Sequence, residues 1–115
     1  MSKKCQVLWA EVAEKDLVNI IDYIARKRSE TALKILHGLK DKVAKLHFSS
    51  EQGRIVPELY DQGITKYREL VVPPWRVIFK RQESTVYIMA VIDSRRNIED
   101  ILLKRLVGGH INSTL

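Results

Sequence analysis

Between residues 66 and 92 the chain carries three apolar runs separated by two short breaks, Pro73-Pro74 and Gln82-Glu83-Ser84. Breaks of this length and composition are turns, so the pattern predicts three consecutive antiparallel strands at residues 66–72, 75–81 and 85–92. Proline donates nothing to a sheet ladder, which places Pro73 and Pro74 at the hairpin tip. Each run also holds arginine at an edge: Arg68 in the first, Arg76 in the second, and Arg95-Arg96 directly after the third.

The remainder of the chain supplies helices. Residues 6–10 contain Val7, Leu8 and Trp9 and read as a first strand that pairs within the later sheet. From Glu14 the period changes. Leu17, Ile20, Ile21 and Ile24 recur at i, i+3, i+4 and i+7, the stripe of an amphipathic helix that ends near Arg26 to Arg28. Ala32, Ile35, Leu36, Leu39, Val43 and Leu46 mark a second helix with Ser29 as its expected N-cap. A polar join at residues 27–31 makes the pair an antiparallel hairpin. Residues 48–65, with Gly53, Pro57 and Gly63, show no sustained period and read as a long loop with a short strand or turn at Ile55-Val56. Ile98, Ile101, Leu102 and Leu106 fit a short last helix, with Asn97 as cap and Glu99 and Asp100 in its first turn. The expected architecture is a single α+β domain over residues 1–115: an amino-terminal strand, a two-helix hairpin, a three-strand meander and a carboxyl-terminal helix. Residues 1–5 and 108–115 are expected to be flexible.

Composition narrows the chemistry. With 45% hydrophobic and 30% charged residues, the chain has the profile of a folded soluble protein and not of a disordered tail. A net charge of +6 favours a polyanionic partner, either nucleic acid or an acidic protein. Cys5 is the sole cysteine, which rules out an internal disulfide and a cysteine-based metal cluster and fits a reducing cytoplasm. The amino-terminal apolar stretch is too short for a signal-peptide core, and no segment approaches the about 20 apolar residues of a membrane span. His37, His47 and His110 lack the i, i+4 spacing of a helical metal site. No phosphate loop, nucleophile elbow or dinucleotide fingerprint is present, and no cofactor is expected.

Basic side chains remain as the candidate site: Lys66, Arg68, Arg76, Lys80, Arg95 and Arg96. A concave sheet could gather the arginines around a phosphate, because guanidinium stays charged and matches two oxygens at once. Arg68, Arg76, Arg95 and Arg96 would then be catalytic, stabilising charge at the phosphorus during phosphodiester cleavage. The alternative is that they are strand-edge residues paired with Glu69, Asp93 or Glu99. Register bears on the choice. A strict two-residue loop at Pro73-Pro74 sets Arg68 across from Phe79 and on the opposite face from Arg76, whereas one further loop residue puts both arginines on one face. The outer face of the helical hairpin mixes Arg26, Lys27, Arg28, Lys34, Lys40, Lys42 and Lys45 with five acidic residues. It reads as a solubilising surface or as a docking face for an acidic partner.

The order of helical hairpin, "YREL" at 67–70, "WRVIF" at 75–79 and a terminal "RR" at 95–96 resembles the RelE/ParE superfamily of toxins from type II toxin-antitoxin (plasmid stabilisation) systems. The resemblance implies a compact fold with this element order and a growth-inhibiting toxin neutralised by a cognate antitoxin that covers exposed apolar surface. It also implies one of two activities. ParE-like members bind and inhibit DNA gyrase without being enzymes, whereas RelE-like members are mRNA interferases that cleave messenger RNA on the ribosome. The RelE-type basic positions fall on Arg68, Arg76 and Arg95 or Arg96, but its second hairpin lysine corresponds to Leu70 and its carboxyl-terminal tyrosine to the neighbourhood of Ile101 or Leu102. The histidine that some relatives carry before the double arginine is Asp93, which would instead orient Arg95 or Arg96. These departures weaken the nuclease reading, and the long helical hairpin, "YREL" and "RR" look more ParE-like. Under the nuclease reading, Arg76→Ala is expected to remove cleavage with folding and antitoxin binding nearly intact.

Overall fold

The computed structural model describes residues 4–107. Its centre is a five-stranded sheet in the order β1-β5-β4-β3-β2, formed by β1 (Gln6–Trp9), β2 (Arg54–Ile55), β3 (Tyr67–Val72), β4 (Trp75–Gln82) and β5 (Thr85–Asp93). The meander β3-β4-β5 is antiparallel, as its short turns require, and is joined by β2 on one edge and β1 on the other. β1 runs parallel to β5, with Val7 beside Val86 and Trp9 beside Ile88. That parallel pair is allowed because the helical hairpin and much of the sheet lie between the two strands in sequence.

The hairpin consists of α1 (Glu11–Ala25) and α2 (Ser29–Ala44), the latter extended by a short 3-10 turn over Lys45–His47. α1 begins earlier than the apolar period alone suggests; Glu11 and Glu14 in its first turn suit the positive end of the helix dipole. Ser29 is not the N-cap of α2. Arg28 holds that position with extended dihedrals and no side chain caps the helix, so the serine hydroxyl lies one residue too far in to serve. Leu17, Leu39, Val43 and Leu46 from the hairpin region pack with Val77, Phe79, Val86, Ile88 and Val91 on one face of the sheet.

The opposite face is covered by two shorter helices, α3 (Pro57–Tyr60) and α4 (Ile98–Val107). Val56, Leu59, Ile98 and Leu102 meet Tyr67, Ile78, Ala90 and Ile92 there. Both faces of β4 are therefore covered, which explains why five consecutive residues, Arg76 to Lys80, are buried. Asn97 caps α4 as its sequence suggests, its Oδ1 accepting from the Asp100 amide at 3.0 Å. Residues 48–65 are more structured than a loop: β2 pairs with β3, and Pro57 opens α3 at the position where a missing N–H costs nothing.

Of the termini expected to be flexible, residues 1–3 and 108–115 lie outside the described residues. Cys5 is instead buried and tied down. Its amide donates to the His47 carbonyl at 2.8 Å, its own carbonyl lies 2.6 Å from His47 Nδ1, and its Sγ donates to Ser50 Oγ at 3.4 Å.

Candidate functional site

The register settles where the arginines point. Val72 pairs with Trp75 across the Pro73-Pro74 turn, so Arg68 lies across from Phe79 and Arg76 across from Val71. Paired residues share a face, which puts Arg68 and Arg76 on opposite faces of the sheet. No single phosphate can meet both, and the gathered constellation that the sequence allows is not formed by this pair.

Arg76 faces α3 and is held there by two carboxylates. Its Nη1 and Nη2 donate to Glu58 Oε2 and Oε1 at 2.8 and 2.7 Å, a two-point fork, while its Nε donates to Glu69 Oε1 at 2.6 Å. Arg54, the β2 neighbour of Glu69, donates from Nε to Glu69 Oε2 at 2.6 Å. Two arginines and two glutamates thus neutralise one another. The Glu69 side chain is fully buried and that of Arg76 nearly so, whereas Glu58 and Arg54 reach solvent. Hydrogen bonding from Arg76 holds the Glu58 carboxyl below its ordinary range, and Glu58 in turn pushes the Arg76 guanidinium higher.

A second ion pair closes the end of β5. Both Asp93 carboxylate oxygens accept from the Arg95 side chain, at 2.9 and 2.6 Å, and Oδ1 also accepts the Arg95 amide at 2.9 Å. These bonds lower the Asp93 pKa to about 2. Both carboxyls are depressed in the folded chain, so their stabilisation is complete above the unfolded values and disappears as pH falls through the folded ones. Unfolding followed by circular dichroism should therefore show stability declining from about pH 4.5 down towards about pH 2, and Glu58→Gln should flatten the upper part of that decline.

The other candidate residues are dispersed. Arg68 is half-buried and makes one long bond, Nη1 to the Gly53 carbonyl at 3.4 Å; Arg96 is exposed. Lys66 is exposed over the Tyr67 ring, while Lys80 is buried with its ammonium 5.7 Å from the centre of the Tyr87 ring. Sequence reasoning missed Glu58 and Arg54. Pro57-Glu58, proline followed by an acidic residue, is a helix-start signal that could have flagged Glu58.

Away from the arginines, α1, α2 and the end of β1 enclose a groove of about 320 Å³ lined by Trp9, Leu17, Val18, Ile21 and Leu36, with Glu14, Asp22 and Lys40 at its rim. Val18, in the groove, is 55% exposed; Leu33 and Tyr23 on the same two helices are 55% and 64% exposed. Among the described residues no cluster of histidine, cysteine or carboxylate could hold a metal ion. Nor is any described helix long and apolar enough to cross a membrane.

A helical hairpin laid on a twisted meander, with a carboxyl-terminal helix behind it, defines a small α+β toxin fold. The chain belongs to the family described as ParE toxin of type II toxin-antitoxin system, parDE, which it matches over residues 7–98. Among solved structures it is similar to a chain of the chromosomal ParDE TA system from P. aeruginosa. The TM-score is 0.65 at 22% identity, covering 78% of this chain and 96% of that one, a likeness of fold. No curated protein matches it.

Proposed function

We propose that this chain is the toxin of a two-protein system, that it acts in the cytoplasm by stoichiometric binding to DNA gyrase without cofactor or bond-making chemistry, and that a cognate antitoxin neutralises it. Membership of the ParE family supports the class. The observation that carries the mechanism is the state of Arg76: its Nε and both terminal nitrogens donate to Glu58 and Glu69, and it is only 8% exposed. A guanidinium so committed stabilises a fold and is not available to a transferring phosphate. The apolar groove along the hairpin fits a chain that works by burying surface against other proteins.

The test is pulse-labelling of DNA and protein synthesis in bacterial cells just after this chain is induced without its antitoxin, together with a supercoiling assay on purified gyrase. Early arrest of DNA synthesis and inhibition saturating near one toxin per gyrase subunit are expected. Early arrest of translation would instead establish ribosome-dependent RNA cleavage, the alternative activity of the superfamily.

Arg68 offers a separate check on the target surface. Its single long bond implies that Arg68→Ala shifts stability by no more than about 0.5 kcal/mol. A variant that melts like the wild type but arrests growth more weakly would place Arg68 in the contact with the target. Full toxicity would remove it from that contact.

A further inference from the structure

Tyr67, Lys80, Tyr87 and Leu8 form one transverse row across β3, β4, β5 and β1, each beside the next in register and all on the face that carries α3 and α4. The row runs from buried to open: Tyr67 is 4% exposed, Lys80 8%, Tyr87 half-buried and Leu8 40%. Lysine is rarely buried to this degree unless paired, because an ammonium removed from water loses solvation that only an opposite charge or hydrogen-bond acceptors restore. Among the described residues no carboxylate lies within ion-pair distance of Lys80 and no side-chain hydrogen bond reaches it. Its neighbours are the face of Tyr87 and a second cation, Lys66, itself unpaired among those residues and 5.5 Å from the centre of the Tyr67 ring. Burial and the Lys66 charge both push the Lys80 pKa down, the signature of a cation that lacks its counter-ion.

We infer that Lys80 and Lys66 form the seat for one carboxylate of an acidic protein segment, that of the antitoxin, with Tyr87 and Leu8 as an apolar shoulder for the flanking side chain. The inference rests on the toxin-antitoxin reading and on nothing about the toxin's target. Protein is favoured over nucleic acid by the shape and chemistry of the row. Phosphate backbones are tracked by several exposed cations in line, and arginine is their fork-shaped partner. Here one ammonium is recessed, the nearby guanidinium of Arg76 is consumed by Glu58 and Glu69, and an exposed leucine ends the row. A pair of ammonium groups, one recessed, beside an apolar shoulder matches a peptide carboxylate.

The experiment measures the affinity of the full chain for its cognate antitoxin, with Lys80→Met, Lys66→Met and, as control, Lys104→Met, whose own pairing is with Asp100 on the surface. Lys80→Met keeps the aliphatic stem and should melt no lower than the wild type, since it removes a buried charge that has no partner among the described residues. It is expected to weaken the complex about thirty-fold or more and to reduce its salt dependence. Lys66→Met, at an exposed position, should weaken it by a smaller factor without touching the fold, and Lys104→Met should change nothing. Wild-type affinity in both Lys80→Met and Lys66→Met would overturn the inference alone. Failure of the unaltered chain to bind would overturn the toxin-antitoxin reading and the inference with it. Loss of duplex DNA or RNA binding in Lys80→Met, with antitoxin affinity unchanged, would assign the seat to a phosphate and equally overturn it.

Discussion

Arg76→Ala is expected to destabilise the chain by about 3–5 kcal/mol, the usual consequence of leaving a buried carboxylate without its partner. Glu69 has a fully buried side chain and would keep only Arg54, which is largely in solvent; Glu58 would lose both of its bonds to Arg76. Urea unfolding of the purified variant reads the loss directly. This outcome reverses the expectation, drawn from the sequence under the nuclease reading, that Arg76→Ala would leave folding intact. Arg76→Lys should lie between, since an ammonium keeps the charge but not the fork that spans Glu58 and Glu69. The double variant Arg76→Met with Glu69→Leu should recover most of the loss, because removing both charges leaves no unpaired ion in the interior. If Arg76→Ala unfolds at the wild-type urea concentration, Arg76 does not stabilise the fold and a catalytic role is open to it again.

Gly53→Ala is the second large effect, expected to cost at least about 3 kcal/mol. Gly53 has φ of +88°, a conformation that costs an L-residue about 1–2 kcal/mol on its own. A Cβ there would also run into the Glu69 carbonyl oxygen, with the Glu69 carbonyl carbon at 3.1 Å and Phe79 Cε1 at 3.3 Å. The carbonyl belongs to the sheet and cannot swing aside as a side-chain tip would. Gly63 makes an internal control: its φ is +81° but open space surrounds it, so Gly63→Ala should show the conformational cost alone, about 1 kcal/mol. The difference between the two midpoints in a thermal melt measures the clash. Equal midpoints would mean that the backbone near Glu69 yields.

The helical stripes were legible because burial on one face imposes a period, and Leu17, Leu39, Val43 and Leu46 all lie in the core as the period requires. The meander was legible from its breaks, and Asn97 from the helix that follows it. Arg76 was not. Whether a strand-edge guanidinium is solvated or locked depends on a carboxylate from elsewhere, and Glu58 sits in a segment whose helix is only four residues long, too short to print a period. The choice of face for Arg68 and Arg76 turned on a single loop residue, a detail that hydrophobic alternation cannot supply when β4 is covered on both sides. That Lys80 has no partner among the described residues was hidden for the same reason: it is a property of neighbours on three other strands.

The parallel pairing of β1 with β5 ties the timing of toxicity to the timing of synthesis. Gln6–Trp9 leaves the ribosome ahead of the helices, yet the ladder that receives it begins at Thr85. Until then α1 and α2 have no Ile88 or Val91 to lie against, and Trp9 has no strand to pair with. Contacts so distant along the chain form late and nearly together. A nascent chain halted before Thr85 lacks the strand on which both β1 and the helical hairpin rest, so the fold is complete only once β5 has been made.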